Sequence, residues 1–322
     1  MTISFENLGL SDARVNKLQR LGFESPTEIQ EKAIPLILES NDILGQSQTG
    51  TGKTAAYSLP ILEQIDTKNP NVQTLILTPT RELAQQVAEA LKDFSTERRL
   101  YILTVYGGQS IERQIRSLER GVQIVVGTPG RVIDLLERKK LVLDCLRWAV
   151  LDEADEMLSM GFIDDVKTIL RKTPETRNTA CFSATMPREI RDLVNQFLKS
   201  PVTVSVERKQ AAPTHIDQHL YYVPRGWSKR KALQPILEME DPESAIIFVR
   251  TKQTASELTT RLQEIGHSVD EYHGNLSQSQ RERLVYRFRD GKIKLVVATD
   301  IAARGLDVEN LSHVINYDLP DN

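Results

Sequence analysis

The chain has 322 residues, 40% of them hydrophobic, which supplies enough apolar surface for two domains of ordinary size. Its 41 basic and 44 acidic residues give a net charge of −3, which excludes nucleic-acid binding through an overall positive charge, so any such site is a local patch. The N-terminus lacks the basic and apolar segments of a signal peptide, and no apolar run reaches the length of a membrane span. We therefore expect a soluble, cytoplasmic protein.

The two cysteines, Cys145 and Cys181, are too few for a disulfide framework or a zinc site. Each lies in an apolar stretch of the sequence. We expect both to be buried free thiols in a reducing compartment.

Two helices are predicted near the N-terminus from their capping residues. Ser11 precedes apolar residues at helical spacing, and Gly22 closes that helix. A second helix begins at Thr27, where Thr27 and Gln30 have the spacing of a capping box. The capping box is a sufficient structural reason for Gln30, and it stands as the alternative to any functional role.

The first chemical signal is the segment 47–54, which is Ser-Gln-Thr-Gly-Thr-Gly-Lys-Thr. A short apolar strand is predicted before it at 42–45 and a helix after it at 54–65. A glycine-rich turn between a strand and a helix directs several backbone N–H groups at one point, where a phosphate can bind. The alternative is a surface turn that happens to carry a lysine, but the strand and helix on either side favour a nucleotide site.

Individual residues of this loop have predicted roles. Lys53 would neutralise the β- and γ-phosphates, and Thr54 would give its hydroxyl to Mg²⁺. Ser47 stands where the usual phosphate-loop pattern has its first glycine. The candidate nucleotide-binding residues of the loop are Ser47, Gln48, Thr49, Gly50, Thr51, Gly52, Lys53 and Thr54.

Short apolar runs then alternate with helical patterns, and each run ends in a polar cluster, usually with a glycine or proline. Strands alternating with helices predict a parallel, doubly wound sheet that binds its ligands at the carboxyl ends of the strands. The predicted strands are 74–77, 101–105, 122–126, 148–151 and 179–182. Because a polar cluster follows each of these five predicted strands, we expect the carboxyl edge of the sheet to be the functional one.

A polar, unpatterned segment at 207–214 is expected to be a linker. A second alternating domain follows, with strands predicted at 219–223, 245–249, 268–272, 295–298 and 313–317, and with no second phosphate loop. Ser277 and Gln280 predict another capping box. Since the last predicted strand lies close to residue 322, one face of the sheet lacks a covering element, and we expect this second domain to be incomplete.

Two carboxylates follow the predicted strand 148–151. In a phosphate-loop protein this is the position of the carboxylate that holds Mg²⁺, so Asp152 is the expected metal residue, acting through water. Glu153 is the candidate to accept a proton from an attacking water. An acidic helix start is the simpler explanation of such a segment taken alone, but its combination with Lys53 favours chemistry.

Polar groups at the same edge could hold a nucleic-acid backbone. Arg81 and Arg131 each follow a strand beside a threonine and a proline, and Gly108 permits close backbone approach. Arginine guanidinium groups, backbone N–H groups and hydroxyls can donate hydrogen bonds to phosphodiester oxygens, and such contacts do not distinguish between bases. Each arginine alone is more simply a solvated surface charge; together they predict a sequence-independent track.

These segments are similar, in order, to the motifs of the DEAD-box RNA helicases, and the chain resembles that family over essentially its whole length. The matching segments are 22–30 with Phe5 upstream, 47–54, 79–84, 107–108, 128–131, 152–155 (Asp-Glu-Ala-Asp), 183–185 (Ser-Ala-Thr), 246–251, 273–281 and 299–307. The resemblance implies an α/β fold with two RecA-like domains, each a mainly parallel doubly wound sheet with helices on both faces. We expect the first at 1–206 and the second, incomplete, at 215–322.

The family's activity implies an ATPase, with ATP and Mg²⁺ as cofactors, that closes on single-stranded RNA and strains short duplexes apart. Gln30 would then recognise the adenine edge and Phe5 would pack on its ring, with Phe23 beside them. Ser183 and Thr185 would couple the ATP state to RNA. The implied catalytic residues are Lys53, Asp152, Glu153, Asp155, Ser183 and Thr185.

The resemblance also implies sites in the second domain. Gly305 and Asp307 would reach the nucleotide. The implied RNA-binding residues of both domains are Pro79, Thr80, Arg81, Gly108, Thr128, Gly130, Arg131, Thr251, Gly274 and Thr299.

The sequence departs from the family pattern mildly at Ser47 and Asn275, and strongly in one place. The family's His-Arg-x-Gly-Arg-x-Gly-Arg motif, whose arginines reach the γ-phosphate, does not occur among the 322 residues. Because an arginine finger contributes roughly 10³ to 10⁵ in rate, we expect these residues to bind ATP or ADP but to hydrolyse ATP poorly. A phosphate-loop switch that does not use RNA and an ATP-gated RNA clamp remain alternatives.

Overall fold

The computed structural model describes residues 4–48, 50–96, 100–206, 216–299, 308 and 311–319. The chain divides into two compact units, Met1–Gln210 and Ala211–Asn322. The predicted linker 207–214 lies outside the described residues. None of the helices in the described ranges is both long enough and apolar enough to cross a bilayer.

The first unit is built on a sheet of seven parallel strands in the order β3-β4-β2-β5-β6-β1-β7. The strands are β1 (Ile43–Gln46), β2 (Thr74–Leu77), β3 (Ile102–Val105), β4 (Ile124–Gly127), β5 (Trp148–Leu151), β6 (Asn178–Ser183) and β7 (Val202–Ser205). The sequence predicted six of these strands within one or two residues at each end and missed β7.

Helices connect the strands of this unit. After a short 3-10 helix at Phe5–Leu8 they are α1 (Asp12–Arg20), α2 (Glu28–Leu38), α3 (Lys53–Gln64), α4 (Arg81–Phe94), α5 (Ile111–Glu119), α6 (Pro129–Glu137), α7 (Ala154–Ser159), α8 (Ile163–Arg171) and α9 (Arg188–Phe197).

Both faces of this sheet are buried. Successive residues of a strand point to opposite faces, so Ile76 of β2 belongs to one hydrophobic core while Leu75 and Leu77 belong to the other. The first core packs against α1 to α4 and the second against α6 to α9. The sheet is therefore doubly wound, as predicted.

The second unit contains a parallel sheet of four strands in the order β11-β8-β10-β9. Helices α10 and α11 pack on one face of this sheet and α12 packs on the other. The elements are β8 (Ala245–Val249), β9 (Val269–Tyr272), β10 (Leu295–Thr299), β11 (His313–Asn316), α10 (Lys229–Glu240), α11 (Lys252–Glu264) and α12 (Gln278–Arg289). The capping box of Ser277 and Gln280 is confirmed: the Ser277 N–H donates to Gln280 Oε1 at 2.8 Å.

Three sequence predictions are wrong. The second sheet does not lack a helix on one face, because α12 packs there. The predicted strand at 219–223 is irregular, with Leu220 and Tyr222 exposed, because its β-favouring residues pair with no strand among the described residues. Cys145 is exposed rather than buried. In its loop the apolar side chains of Leu143 and Leu146 enter the core instead. Cys181 is buried on β6, as predicted.

Candidate functional site

The site lies at the carboxyl edge of the first sheet. Because all strands are parallel, the segments that follow them meet at one edge. Register places Gln46 of β1 beside Ser183 of β6, and Leu77 of β2 beside Leu151 of β5. The Ser47 N–H donates to the Ser183 carbonyl at 3.3 Å. Strand β5 also pairs with β6. The loop 47–54 (the phosphate-type loop), residues 152–155 (the acidic segment) and residues 183–185 (the Ser-Ala-Thr segment) are thus neighbours.

The loop between β1 and α3 is held by its own contacts. Gly50 and Gly52 have φ of 79° and 90°, a left-handed conformation that glycine adopts readily. Lys53, 7% exposed, begins α3 and donates from Nζ to the Ser47 carbonyl at 3.4 Å. The Thr51 hydroxyl lies 3.1 Å from the Ser47 hydroxyl. Thr49 lies outside the described residues.

Helix α2 packs directly on this loop. The capping box is confirmed, since the Thr27 N–H donates to Gln30 Oε1 at 3.0 Å. Gln30, 2% exposed, also donates from Nε2 to the Gly52 carbonyl at 3.1 Å, and the Thr27 hydroxyl donates to the Thr51 carbonyl at 2.8 Å. An amide has two donor hydrogens and two acceptor lone pairs. Gln30 therefore keeps one donor hydrogen and one acceptor lone pair beside the loop.

The aromatic residues predicted to pack on adenine lie in the same region. Phe5 is only 3% exposed and belongs to the core formed with α1 and α2. Phe23 packs against that core, with its ring edge-on to Phe94 at 5.7 Å between centroids. Their predicted contact with adenine stays a prediction.

Asp152 carries a buried carboxylate at the end of β5. It is 2% exposed, and its Oδ2 accepts a hydrogen bond from the Tyr57 hydroxyl at 2.8 Å. Its Oδ1 is buried and has no hydrogen-bond partner among the described residues. Burial raises the pKa of Asp152, while the charge of Lys53 opposes that rise.

Sequence reasoning missed Tyr57. It lies on α3 one turn after Lys53, where an aromatic residue is explained by the helix core alone. The only available signal was this spacing of four residues, which places Tyr57 and Lys53 on one helix face.

Glu153 caps the N-terminus of α7 with φ of 54°, a left-handed conformation that is costly for a residue other than glycine. Burial, and then the charge of Asp152, raise the pKa of Glu153 to about 7. A carboxylate that titrates near neutral pH is suited to accept a proton.

Asp155 and Thr185 connect the acidic segment to the segment after β6. The Thr185 N–H and hydroxyl both donate to Asp155 Oδ2, at 2.8 and 2.9 Å. The buried hydroxyl of Ser183 donates to the Thr185 carbonyl at 2.7 Å. The structure therefore brings Asp155, Ser183 and Thr185 together.

The residues present fit a magnesium nucleotide. Asp152 Oδ1 is a buried carboxylate oxygen with no hydrogen-bond partner in the described part of the chain. The Thr54 hydroxyl lies close to the phenol of Tyr57, which donates to the other carboxylate oxygen. Among the described residues no group of three or more His, Cys, Asp or Glu side chains could hold a metal. A metal here would share its coordination with phosphate oxygens and water, as Mg²⁺ commonly does.

The candidate backbone-binding residues extend along the same edge. The Arg81 guanidinium lies against Gly108, where an added Cβ would collide with Nη1. Arg131 donates from Nη1 to Gln114 Oε1 at 3.0 Å. The Thr80 hydroxyl caps α4, and Thr128 occupies the N-cap position of α6 without a side-chain hydrogen bond to the helix. Pro79 is buried and Gly130 is exposed.

In the second unit the predicted RNA residues also share the carboxyl edge of their sheet. Thr251 follows β8 and caps α11, Gly274 follows β9, and Thr299 ends β10. Gly274 lies against Lys252, where a Cβ would approach Nζ to 3.3 Å. Gly305 and Asp307 lie outside the described residues.

Two family models match the chain. The first is described as DEAD/DEAH box helicase and matches residues 27–193. The second is described as helicase conserved C-terminal domain and matches residues 228–322.

Curated relatives match almost the whole chain. The chain is 77% identical over 322 residues to the RNA helicase CrhR of Synechocystis sp., covering 100% of this chain and 65% of that protein. It is 48% identical to the ATP-dependent RNA helicase CshA of Listeria monocytogenes, covering 99% of this chain and 61% of that protein. The chain spans less than two thirds of the length of these two relatives.

Solved structures agree with the fold. S. cerevisiae Dbp5 bound to RNA and ADP BeF3 is 33% identical with a TM-score of 0.86, over 98% of this chain and 81% of that one. A DEAD box protein from the hyperthermophile Methanococcus jannaschii is 40% identical with a TM-score of 0.62, over 99% of this chain and 86% of that one.

Proposed function

The chain belongs to the DEAD/DEAH box helicase family, and on this basis we propose that the protein is an ATP-dependent RNA helicase that couples ATP binding and hydrolysis to RNA clamping and local duplex unwinding. The observation that carries the proposal is the buried carboxylate of Asp152 beside Lys53 of the loop 47–54, with one carboxylate oxygen that no described residue contacts by a hydrogen bond. The RNA helicase names of its relatives support the choice of RNA.

Nucleotide binding begins with the loop 47–54. Its N–H groups, the N-terminus of α3 and Lys53 supply positive charge for the phosphates. Gln30 offers one donor and one acceptor to the adenine edge. Phe5, Phe23, Gly305 and Asp307 are proposed nucleotide contacts that rest on the family pattern.

The chemistry needs a metal and a proton acceptor. Thr54 and Asp152 would hold Mg²⁺, which supplies neutralisation of phosphate charge when bound. Glu153 accepts a proton from a water at its carboxylate, a role suited to a pKa of about 7. Asp155 holds Thr185, so a movement of the Ser-Ala-Thr segment is transmitted to the acidic segment.

RNA binding is proposed for the exposed edge of each sheet. Arg81 and Arg131 supply forked donors for phosphate oxygens, while glycines and threonines allow close approach. None of these contacts reads a base, so the binding is independent of sequence. Slow hydrolysis by the 322-residue polypeptide, expected from the sequence, stays a prediction.

The test is binding of a fluorescent single-stranded RNA with and without an ATP analogue, as salt is raised. We expect the nucleotide to tighten RNA binding and Arg81→Gln to weaken it and to reduce the salt slope by about 0.7. Lys68→Gln is the matched control, because Lys68 is exposed in the loop before β2, at the opposite edge of the sheet. RNA binding that ignores nucleotide and is equally sensitive to both variants contradicts the proposal and favours a switch that does not use RNA.

A further inference from the structure

Tyr57 connects the phosphate-loop helix to the acidic segment. Its side chain is fully buried on α3, and its hydroxyl donates to Asp152 Oδ2 at 2.8 Å across 95 residues of sequence. The same phenol lies close to the Thr54 hydroxyl. One hydroxyl therefore lies beside both side chains that are predicted to hold Mg²⁺.

We propose that Tyr57 is a positioning residue for magnesium, whose hydroxyl fixes the Asp152 carboxylate so that Oδ1 stays available at the nucleotide site. The inference rests on the proposed function and deepens it. A carboxylate has two oxygens that exchange places when the Cβ–Cγ bond rotates. A buried donor that engages Oδ2 selects one orientation, and Oδ1 is then the buried oxygen for which the described residues provide no partner.

Packing alone does not explain the hydroxyl. The Tyr57 ring packs on Phe182, with centroids 5.4 Å apart, in the core between the sheet and α3. A phenylalanine would make the same ring contact without burying a polar group. The phenol is costly to bury unless it is hydrogen-bonded, and its partner is Asp152.

The test is the affinity of the 322-residue chain for a fluorescent ADP, measured in Mg²⁺ and in EDTA. For Tyr57→Phe we expect binding in Mg²⁺ to weaken about tenfold, because a hydrogen bond to a charged group is lost, and binding in EDTA to be unchanged. Ser58→Ala is the matched control, since its hydroxyl is also buried on α3 but has no partner among the described residues. It should leave both affinities unchanged.

A double-mutant cycle separates positioning from a structural role. In an Asp152→Asn background, adding Tyr57→Phe should cause no further loss of magnesium-dependent affinity. The inference would be overturned if Tyr57→Phe weakened the binding of ADP equally in Mg²⁺ and in EDTA, or did not weaken it at all. If the native chain binds the nucleotide equally with and without Mg²⁺, the proposed magnesium site itself fails, which is a different result.

Discussion

Thr185 donates two hydrogen bonds to a single oxygen of Asp155, one from its backbone and one from its hydroxyl. Two segments that lie 30 residues apart in sequence are thereby joined at the carboxyl edge of the sheet. The contact is exposed, so its contribution to stability is small. Its geometry instead provides a direct connection through which the position of the Ser-Ala-Thr segment can influence the acidic segment.

Thr185→Val should therefore change coupling more than stability. The variant keeps the backbone donor and loses the hydroxyl, so we expect the unfolding free energy to fall by about 1 kcal/mol or less. The tightening of RNA binding by nucleotide should decrease, as measured by RNA titration with and without an ATP analogue. Asp155→Ala removes the acceptor of both bonds and should have the larger effect, and the reverse order would contradict the coupling.

Gly52→Ala tests the packing of α2 on the loop. Both Gly50 and Gly52 have positive φ, so an alanine at either position should cost about 1–2 kcal/mol of stability. Only at Gly52 would the new Cβ collide with the Gln30 amide; nothing lies within 4 Å of the corresponding atom at Gly50. Gly52→Ala should therefore lose much more affinity for fluorescent ADP than Gly50→Ala. Equal losses would mean that the contact of Gln30 with the loop is unimportant.

Glu153→Gln should stabilise the metal-free protein at neutral pH. The carboxyl pKa is about 7 in the folded protein against an ordinary value of 4.5, so the folded state binds the proton more tightly. The native protein then loses stability as the pH rises from about 4.5 to about 7, and the glutamine variant does not share this loss. In thermal unfolding with EDTA present, Glu153→Gln should be more stable than the native protein. The difference in stability should grow from about pH 4.5 to about pH 7 and stay constant at higher pH.

Glu112→Gln is the control for this pH dependence. The Ser110 hydroxyl donates to Glu112 Oε2 at 2.7 Å and holds the pKa of that exposed carboxyl below its ordinary value. Glu112→Gln should therefore slightly lower the stability of the protein at pH values above the ordinary pKa of glutamate. This effect is opposite in sign to that of Glu153→Gln. The same sign for both variants would contradict the assignment of the raised pKa to Glu153.

The sequence predicted the parts of the site that depend on local signals. Lys53 and Asp152 were singled out because loop composition and strand ends are short-range patterns. Gln30 was singled out through the family resemblance, since its capping spacing alone predicted a structural role. The bond between Tyr57 and Asp152 was not predictable, because it joins residues 95 positions apart and the tyrosine also fits the helix core.

Errors in the fold have similar causes. Strand β7 alternates apolar and polar residues, Val-Thr-Val-Ser, which is typical of a strand, but this short pattern was not used for the prediction, and Val204 is the one residue of β7 that is buried. The segment 219–223 has the residue types of a strand, but strand formation needs a partner that propensity does not supply. Cys145 was expected inside because its neighbours are apolar, yet the loop turns Leu143 and Leu146 into the core and leaves Asp144 and Cys145 exposed.

The two cysteines should differ sharply in reactivity. Cys145 is exposed, whereas Cys181 is buried on β6, where burial and then the charges of Asp155 and Asp152 raise its thiol pKa to about 12. Since the thiolate is the reactive form, a thiol reagent at pH 8 should label one cysteine in the native protein and two in denaturant. Cys145→Ser should abolish native labelling, and Cys181→Ser should leave it unchanged. Rapid native labelling of the Cys145→Ser variant would show that the sheet opens at β6, contrary to the burial of that strand.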